Sequence, residues 1–265
     1  MRLTALIYHD VLPDAESDDS GFAGADARSY KLTATQFQRH LDLIAAALGS
    51  GAPAWLSEPA AATTAGEAFV LTFDDGGASA VTRVLPALRP RGWRAHFFVT
   101  TNFIGTRGFM MPEGLRELHA AGHVVGSHSA SHPLRMSSLP REALCREWRD
   151  SRARLEDFLG APVTAASVPG GYYSRAVATA AAQAGIRLLF TSEPQRSVTM
   201  VDGMAVIGRF SVTRRTPDGA VVSLASGQHG EALRQRLMWD MKKIAKGLGG
   251  KAWLAARRRL FELGE

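Results

Sequence analysis

The chain has a single cysteine, Cys145, in 265 residues. An intrachain disulfide is therefore impossible, and a thiolate-rich metal site is excluded. Cys145 falls inside the pattern REALCREWRDSRARLEDFL and reads as a small apolar helix residue. Long hydrophobic runs are also missing. Nothing approaches the ~20 apolar residues needed to span a bilayer. The run LTALIY after Arg2 is too short for the core of a secretory leader, and no small-residue cleavage site follows it. The expectation is a cytoplasmic protein whose only membrane contact is peripheral. No internal repeat occurs, and the only biased stretch is the Ala-rich 60–65. After Pro169 the sole histidine is His229.

What is present suits one large core. Hydrophobic residues make up 46% and charged residues 21%, which argues against wholesale disorder. The length is that of an α/β barrel folded as one unit. The net charge is +6, and from Gln228 onward nine Lys/Arg face four Asp/Glu, so that +5 of it lies in the tail. That tail, LRQRLMWDMKKIAKGLGGKAWLAARRRLFEL, predicts basic amphipathic helices broken at 247–250, which divides the chain into 1–227 and 228–265. Such helices either lie on an anionic membrane or pack on the body with a solvated basic face. Nucleic acid is not expected as a partner, because the basic tail carries no recognised motif.

Strand and helix signals alternate. LTALIYH predicts the first strand, and 14–29 a long polar loop. Thr33 precedes a helix over 34–49 with apolar positions at Phe37, Leu41, Leu43 and Ile44. AFVLTFDDG predicts a buried strand, VTRVLPALRPRG a helix, RAHFFVTTNFIG a strand and GLRELHAAG a short helix. HVVGSHSASHP is a strand running into a polar turn, followed by a long charged helix closed at Gly160. PVTAASVPGGYY is a strand with a Gly-rich turn, SRAVATAAAQAGI a helix, and RLLFTSE and GMAVIGRFSVT are each one strand. This alternation favours an α/β fold with parallel strands, whose sites gather at the strands' carboxyl ends. Three polar clusters fall at such ends: Asp74-Asp75, His128 to His132, and Pro169-Gly170-Gly171.

Each cluster has two readings. The adjacent carboxylates of TFDDG are costly to hold together without a compensating cation or proton, yet Asp-Gly is also a common turn pair. In HSASH, histidines four apart meet on one face of a helical turn. They are either ligands that complete a two-His, one-carboxylate metal set or capping and surface residues.

TFDDG followed by H-S-x-x-H resembles the first two motifs of the polysaccharide deacetylase family, also called NodB-homology domains or family 4 carbohydrate esterases. LIYHDV, AHFFVTTNFIG and LRELHAAGHVVGSHSASHP resemble further blocks of it, so the likeness runs from Leu3 to Arg209. The resemblance implies a distorted (β/α) barrel with fewer than eight strands, a catalytic domain over 1–227, and a metal-dependent N-deacetylase. It implies Asp74 as catalytic base and Asp75, His128 and His132 as metal ligands. Zinc is the first expectation, with cobalt, nickel or manganese also suited to the donor set. The implied partner is an N-acetylated carbohydrate or a lipid-linked sugar. Pro169 and Gly171 match the third motif, R-x-P-aromatic-G, with the backbone N–H of Gly170 as implied oxyanion donor.

The departures are specific. Ser167 stands where that motif has arginine, and Gly170 where it has an aromatic residue. Arg209, at a later strand end, is either the substitute cation beside Asp74 or a plain surface residue. The family's D-x-x-D-W and its late L-x-H have no counterpart. His9 is the first candidate for the general acid and His96 the second, although a position inside a strand suits a core histidine. Asp10 and Glu193 are candidate partners that would fix a histidine tautomer. Tyr172 and Tyr173 form a sugar-stacking wall or ordinary packing. His40, His119 and His123 carry no functional expectation. The missing motifs leave two other functions open: a catalytically impaired barrel that binds glycan or metal, and a deacylase removing formyl or another small acyl group.

Overall fold

The computed structural model of the protein describes residues 2–15, 18–63, 66–241 and 243. Strand β1 (Arg2–Tyr8) is buried from Leu3 to Tyr8, as befits a parallel strand covered on both faces. Two short strands, β2 (Val11–Leu12) and β3 (Leu32–Thr33), pair in parallel and bracket the polar segment between them. That segment is not loop throughout, because Ala25–Arg28 forms the short helix α1. Helix α2 (Ala34–Leu48) starts where Thr33 accepts the backbone N–H of Gln36, and it buries Phe37, His40, Leu41 and Ile44.

Helix α3 (Pro59–Thr63) leads into β4 (Glu67–Phe73), which pairs with β1 along its whole length, Arg2 opposite Glu67 and Tyr8 opposite Phe73. The stretch read as one helix over 81–92 has a wide first turn over Ala80–Val84, a regular piece α4 (Leu85–Leu88) and a tight last turn over Arg89–Arg91. Then follow β5 (His96–Val99), α5 (Pro112–Ala120), β6 (Val124–Ser127), α6 (Arg141–Leu159), β7 (Ala165–Ser167), α7 (Arg175–Gln183) and β8 (Leu188–Phe190). The chain continues as β9 (Val198–Val201), β10 (Met204–Ile207), β11 (Phe210–Ser211), α8 (Asp218–Ala225) and a last helix over 229–241.

The sheet order is β11-β1-β4-β5-β6-β7-β8-β10-β9, parallel except for the β9–β10 hairpin. Its curvature follows from connectivity. Between β10, which pairs with β8, and β11, which pairs with β1, there are only Gly208 and Arg209. Three residue steps span at most ~10 Å, so the sheet curls until its two ends nearly meet. The fold is thus a distorted (β/α) barrel, but the expectation of fewer than eight strands is corrected to a sheet of nine among the described residues. The single strand expected over 203–213 is corrected to two strands, with the break at Gly208. A Cβ there would lie 2.5 Å from the Glu193 carbonyl oxygen and 2.7 Å from that of Gln195, an approach open only to glycine.

Side chains fill the barrel. Leu3, Ala5, Val70, Phe98, Ala165, Leu188, Phe190, Ala205 and Ile207 meet in one buried cluster, joined by Leu56 and Ala62 from the segment before β4. Two further clusters lie between the sheet and its helices, one centred on Phe73, Phe97 and the helices α2, α4 and α5, the other on Trp148, Val177 and Leu189. His96 is fully buried and its Nε2 meets the carbonyl of Leu56 at 3.0 Å. It is a core histidine and no candidate acid. Among the described residues, no helix is long and apolar enough to cross a membrane.

The helix over 229–241 lies against the barrel. Gln235 receives the backbone N–H of Ser211 on its side-chain carbonyl at 3.1 Å and donates to the Ser211 carbonyl at 3.3 Å. Lys243 pairs with Glu193 at 2.7 Å. Leu233, Leu237, Met238 and Met241 remain exposed. The expected break at 247–250 and the basic residues beyond it lie outside the described residues.

Candidate active site

The carboxyl ends of β1, β4, β6, β7 and β10 converge. At the end of β4, Asp75 takes a left-handed conformation with φ 75°, and Gly76 follows at φ 88°. A Cβ on Gly76 would meet Val99 Cγ1 at 2.8 Å, so glycine is required there. Left-handed backbone at a non-glycine residue costs free energy and persists where the surroundings hold it. Here it turns adjacent carboxylates in different directions. Asp74 faces Arg209 and Asp75 faces the two histidines.

Asp74 is gripped by both arms of one guanidinium. Arg209 Nη1 donates to Oδ1 at 2.7 Å and Nη2 to Oδ2 at 2.8 Å. Arg209 is fully buried, so it is no surface cation. It also donates to Thr72 Oγ1 and to the Thr191 carbonyl, and its plane lies over the rings of Phe98 and Phe190. These contacts aim the fork. Burial pushes the Asp74 pKa up, but the charges of Arg209 and His128 and the Arg209 hydrogen bond outweigh it and hold the group below its ordinary value.

Asp75 Oδ1 lies 3.4 Å from His128 Nε2 and 3.6 Å from His132 Nε2. One ligand atom from each of the three residues falls within 4.8 Å of the others. That clustering, with two imidazole nitrogens and one carboxylate oxygen turned inward, fits a divalent cation. His132 is pushed down to about 4, by burial first and then by the neighbouring His128 charge, so its ring is neutral near pH 7 as ligation requires. Burial pushes Asp75 up, but the His128 hydrogen bond and the His9, His128 and His132 charges more than reverse this.

The loop that carries the histidines departs from the sequence expectation. Residues 128–132 form no helical turn, since Ser129 has φ 63° and His132 φ 56°. Local side chains take up the backbone donors instead. Ser127 Oγ accepts the N–H of Ser129, Ser129 Oγ that of His132, and Glu147 accepts those of Ala130 and Ser131. The backbone N–H groups of Thr101 and Asn102 then bind the Ser129 and Ala130 carbonyls. The two rings meet with centroids 5.1 Å apart because this lattice folds the loop back.

Ser167, where the motif arginine would stand, joins the two halves of the site. Its hydroxyl lies 2.5 Å from His128 Nδ1 and donates to Asp74 Oδ1 at 3.3 Å. This outward contact leaves Nε2 of His128 for the cluster. Sequence reasoning missed Ser167 and Glu147. Their signal is weak, because a serine on a strand and a glutamate on a charged helix look like ordinary residues.

The remaining candidates divide. His9 follows β1, its ring 4.9 Å from that of Tyr30, and its charge acts on both Asp74 and Asp75. Asp10 accepts from Ser20 and Ser79 at 2.5 and 2.7 Å. Glu193 is bound to Lys243 and not to a histidine. Pro169–Gly171 is a tight turn in which Gly170 has φ 60°. Tyr172 lies beneath the Arg135 guanidinium, 5.1 Å from it. Gly171 faces Trp239 of the last helix, whose ring carbon would lie 3.0 Å from a Cβ at that position. Phe22, from the long polar segment, packs 4.8 Å from the His132 ring.

Fold and cluster together define a NodB-type (β/α) barrel with a His/Asp centre at its carboxyl rim. Residues 61–189 match the model of the polysaccharide deacetylase family. It is 36% identical over 102 residues to the peptidoglycan-N-acetylmuramic acid deacetylase PdaC of Bacillus subtilis (strain 168), covering 38% of this chain and 21% of that one. It is 33% identical over 91 residues to the chitin deacetylase of Colletotrichum lindemuthianum, covering 33% and 37%. The chain spans about half, or less, of the length of the curated relatives it matches. The structure of IcaB from Ammonifex degensii superposes with a TM-score of 0.67 at 23% identity, over 85% of this chain and 97% of that one. The Streptococcus pyogenes deacetylase PplD does so at 0.66 and 16%, over 89% and 98%.

Proposed function

We propose that the chain is a metal-dependent N-deacetylase that hydrolyses the acetamido group of an N-acetylated sugar in a polysaccharide or glycolipid precursor. One observation carries this reading: an arginine-gripped carboxylate, Asp74, stands beside a separate cluster of Asp75, His128 and His132. Binding alone does not call for a base held next to a metal cluster. Asp75, His128 and His132 would hold the cation, with zinc favoured by the donor set. A divalent cation supplies polarisation of the amide carbonyl and a lowered pKa for water.

The other tasks fall to this chain's residues. Asp74 stays ionised beside Arg209 and takes the proton of the attacking water. The backbone N–H of Gly170 is the proposed donor to the oxyanion that forms on the carbonyl carbon. His9 passes a proton to the departing amine. Pro169 and Gly171 shape the turn that presents Gly170, and Tyr172 offers a ring beside it for a sugar face.

The lipid-linked substrate and a peripheral membrane contact, both within the cytoplasm, belong to the same proposal. The exposed Leu233, Leu237, Met238 and Met241 supply an apolar face for that contact. Liposome co-sedimentation that survives deletion of the tail would remove this part.

The main test is acetate release from N-acetylglucosamine oligomers and lipid-linked N-acetyl sugars by metal-loaded protein. Release by the wild type and none by Asp74→Ala or His128→Ala supports the reading. Stoichiometric metal with no release from any acylated sugar would replace it with a binding barrel.

A further inference from the structure

A small cavity lies behind Asp74. It is bounded by His9, Asp10, Asp74 and Ser79 and by the backbone of Gly76 and Gly77, and about 10 Å³ of it is open to the centre of a water molecule. Two polar atoms of its lining residues, His9 Nδ1 and Asp10 Oδ2, are buried with no hydrogen-bond partner among the described residues. Buried polar atoms in folded proteins nearly always have a partner, and ordered water is the usual one when the protein offers none.

Asp10 cannot turn away to find another. Its Oδ1 is occupied by Ser20 and Ser79. Its carboxylate is pressed between two glycines, such that a Cβ on Gly21 would lie 1.8 Å from Oδ2 and one on Gly77 1.9 Å from Oδ1. The glycines therefore fix the carboxylate, and with it the direction of the bare oxygen. The His9 ring is fixed on another side by Tyr30.

We propose that this cavity binds one water molecule that bridges His9 Nδ1 and Asp10 Oδ2, which makes Asp10 a positioning residue for the His9 ring. The volume holds one water, and His9, Asp10 and the Asp74 carboxylate supply the two to four polar partners such a site needs. The polarity of the chain of bonds follows from the inventory of donors. Burial raises the Asp10 pKa, but at alkaline pH its carboxylate is ionised and only accepts, so the water donates to Asp10 Oδ2. Its oxygen then accepts from His9 Nδ1–H, and its second hydrogen points to Asp74. A neutral His9 is held as the Nδ1–H tautomer, with its lone pair on Nε2. The consequence for catalysis, that Nε2 is the atom that first takes up a proton and then gives it to the leaving amine, rests on the function proposed above. The water and the tautomer do not.

The test uses the full chain labelled with ¹⁵N-histidine and observed by long-range ¹H–¹⁵N correlation at alkaline pH, with His9 assigned by its loss in His9→Gln. The expected result is the Nδ1–H tautomer for His9 and a cross-relaxation peak between its Hδ1 and a long-lived water. In Asp10→Asn the water loses its anionic acceptor, and the His9 tautomer ratio shifts toward Nε2–H. A wild-type His9 in the Nε2–H form, or an Hδ1 with no water peak, overturns the inference. If Asp10→Asn does not fold, the two wild-type observations still decide it. Since no activity is read, a protein that fails to deacetylate any sugar leaves this result untouched, and the reverse also holds.

Discussion

Arg209 and Asp74, 135 positions apart in sequence, form a two-armed ion pair in the buried floor of the site. The pair sits where the two ends of the sheet come together, so a closure that shapes the barrel also fixes the orientation of the proposed base.

Removing one member should therefore act on stability and on catalysis together. Arg209→Ala leaves a buried carboxylate uncompensated, at a cost of about 3–5 kcal/mol. A base that loses its aim should lower turnover by about 100-fold. Arg209→Lys keeps the charge but not the fork, and should fall between wild type and Arg209→Ala in both. Urea unfolding and acetate release check this. An Arg209→Ala protein as stable as the wild type would show that the pair has no energetic role.

Ser167 fixes His128 through Nδ1, while the Ser167 carbonyl remains a second, weaker partner at 3.2 Å. Ser167→Ala should reduce divalent-metal affinity by about 10–100-fold, the usual effect of losing a group that orients a ligand. Chelator competition measures it. Affinity equal to the wild type would mean that the carbonyl alone orients the ring.

Glu147 holds the histidine loop by accepting from the Ala130 and Ser131 amides and from the Ser131 hydroxyl. Metal at about 100 times its Kd should stabilise the wild type by about 2.7 kcal/mol relative to chelator-treated protein. Glu147→Ala should lose most of that increment, because the loop no longer presents both rings. The difference in Tm with and without zinc reads it out, and an unchanged increment counts against the loop's role.

His96 gives a pH dependence of stability. Burial holds its pKa down to about 4, against 6.5 for a free side chain. Above pH 6.5 neither folded nor unfolded chain protonates it. Between 6.5 and 4 the unfolded chain takes up a proton that the folded chain refuses, so stability falls as the pH falls, by about 3 kcal/mol in all. His123 and His132 are also pushed down to about 4 and add to the slope. Urea midpoints across this range should flatten in His96→Gln by the His96 share. A slope no different from wild type would show that His96 takes up its proton without unfolding.

The local order of the chain was legible in its residues. The alternation of strands and helices, the Thr33 cap, the Gly160 stop and the strand-end positions of Asp74, Asp75, His128 and Pro169 follow from periodicity and turn chemistry, which act over a few residues. Tertiary structure decided the rest. The helical turn expected over 128–132 gives way to left-handed backbone because Ser127, Ser129 and a distant Glu147 satisfy its amides. The strand over 203–213 splits because the barrel closes there and only glycine fits at 208. Whether Arg209 met solvent or Asp74, and that the Ser167 hydroxyl reaches both His128 and Asp74, depended on strands far apart in sequence being brought to one rim. Local pattern encodes which elements form and where their ends fall. Which side chains face one another across a closed sheet is set by packing over the whole barrel, and no short window of sequence contains it.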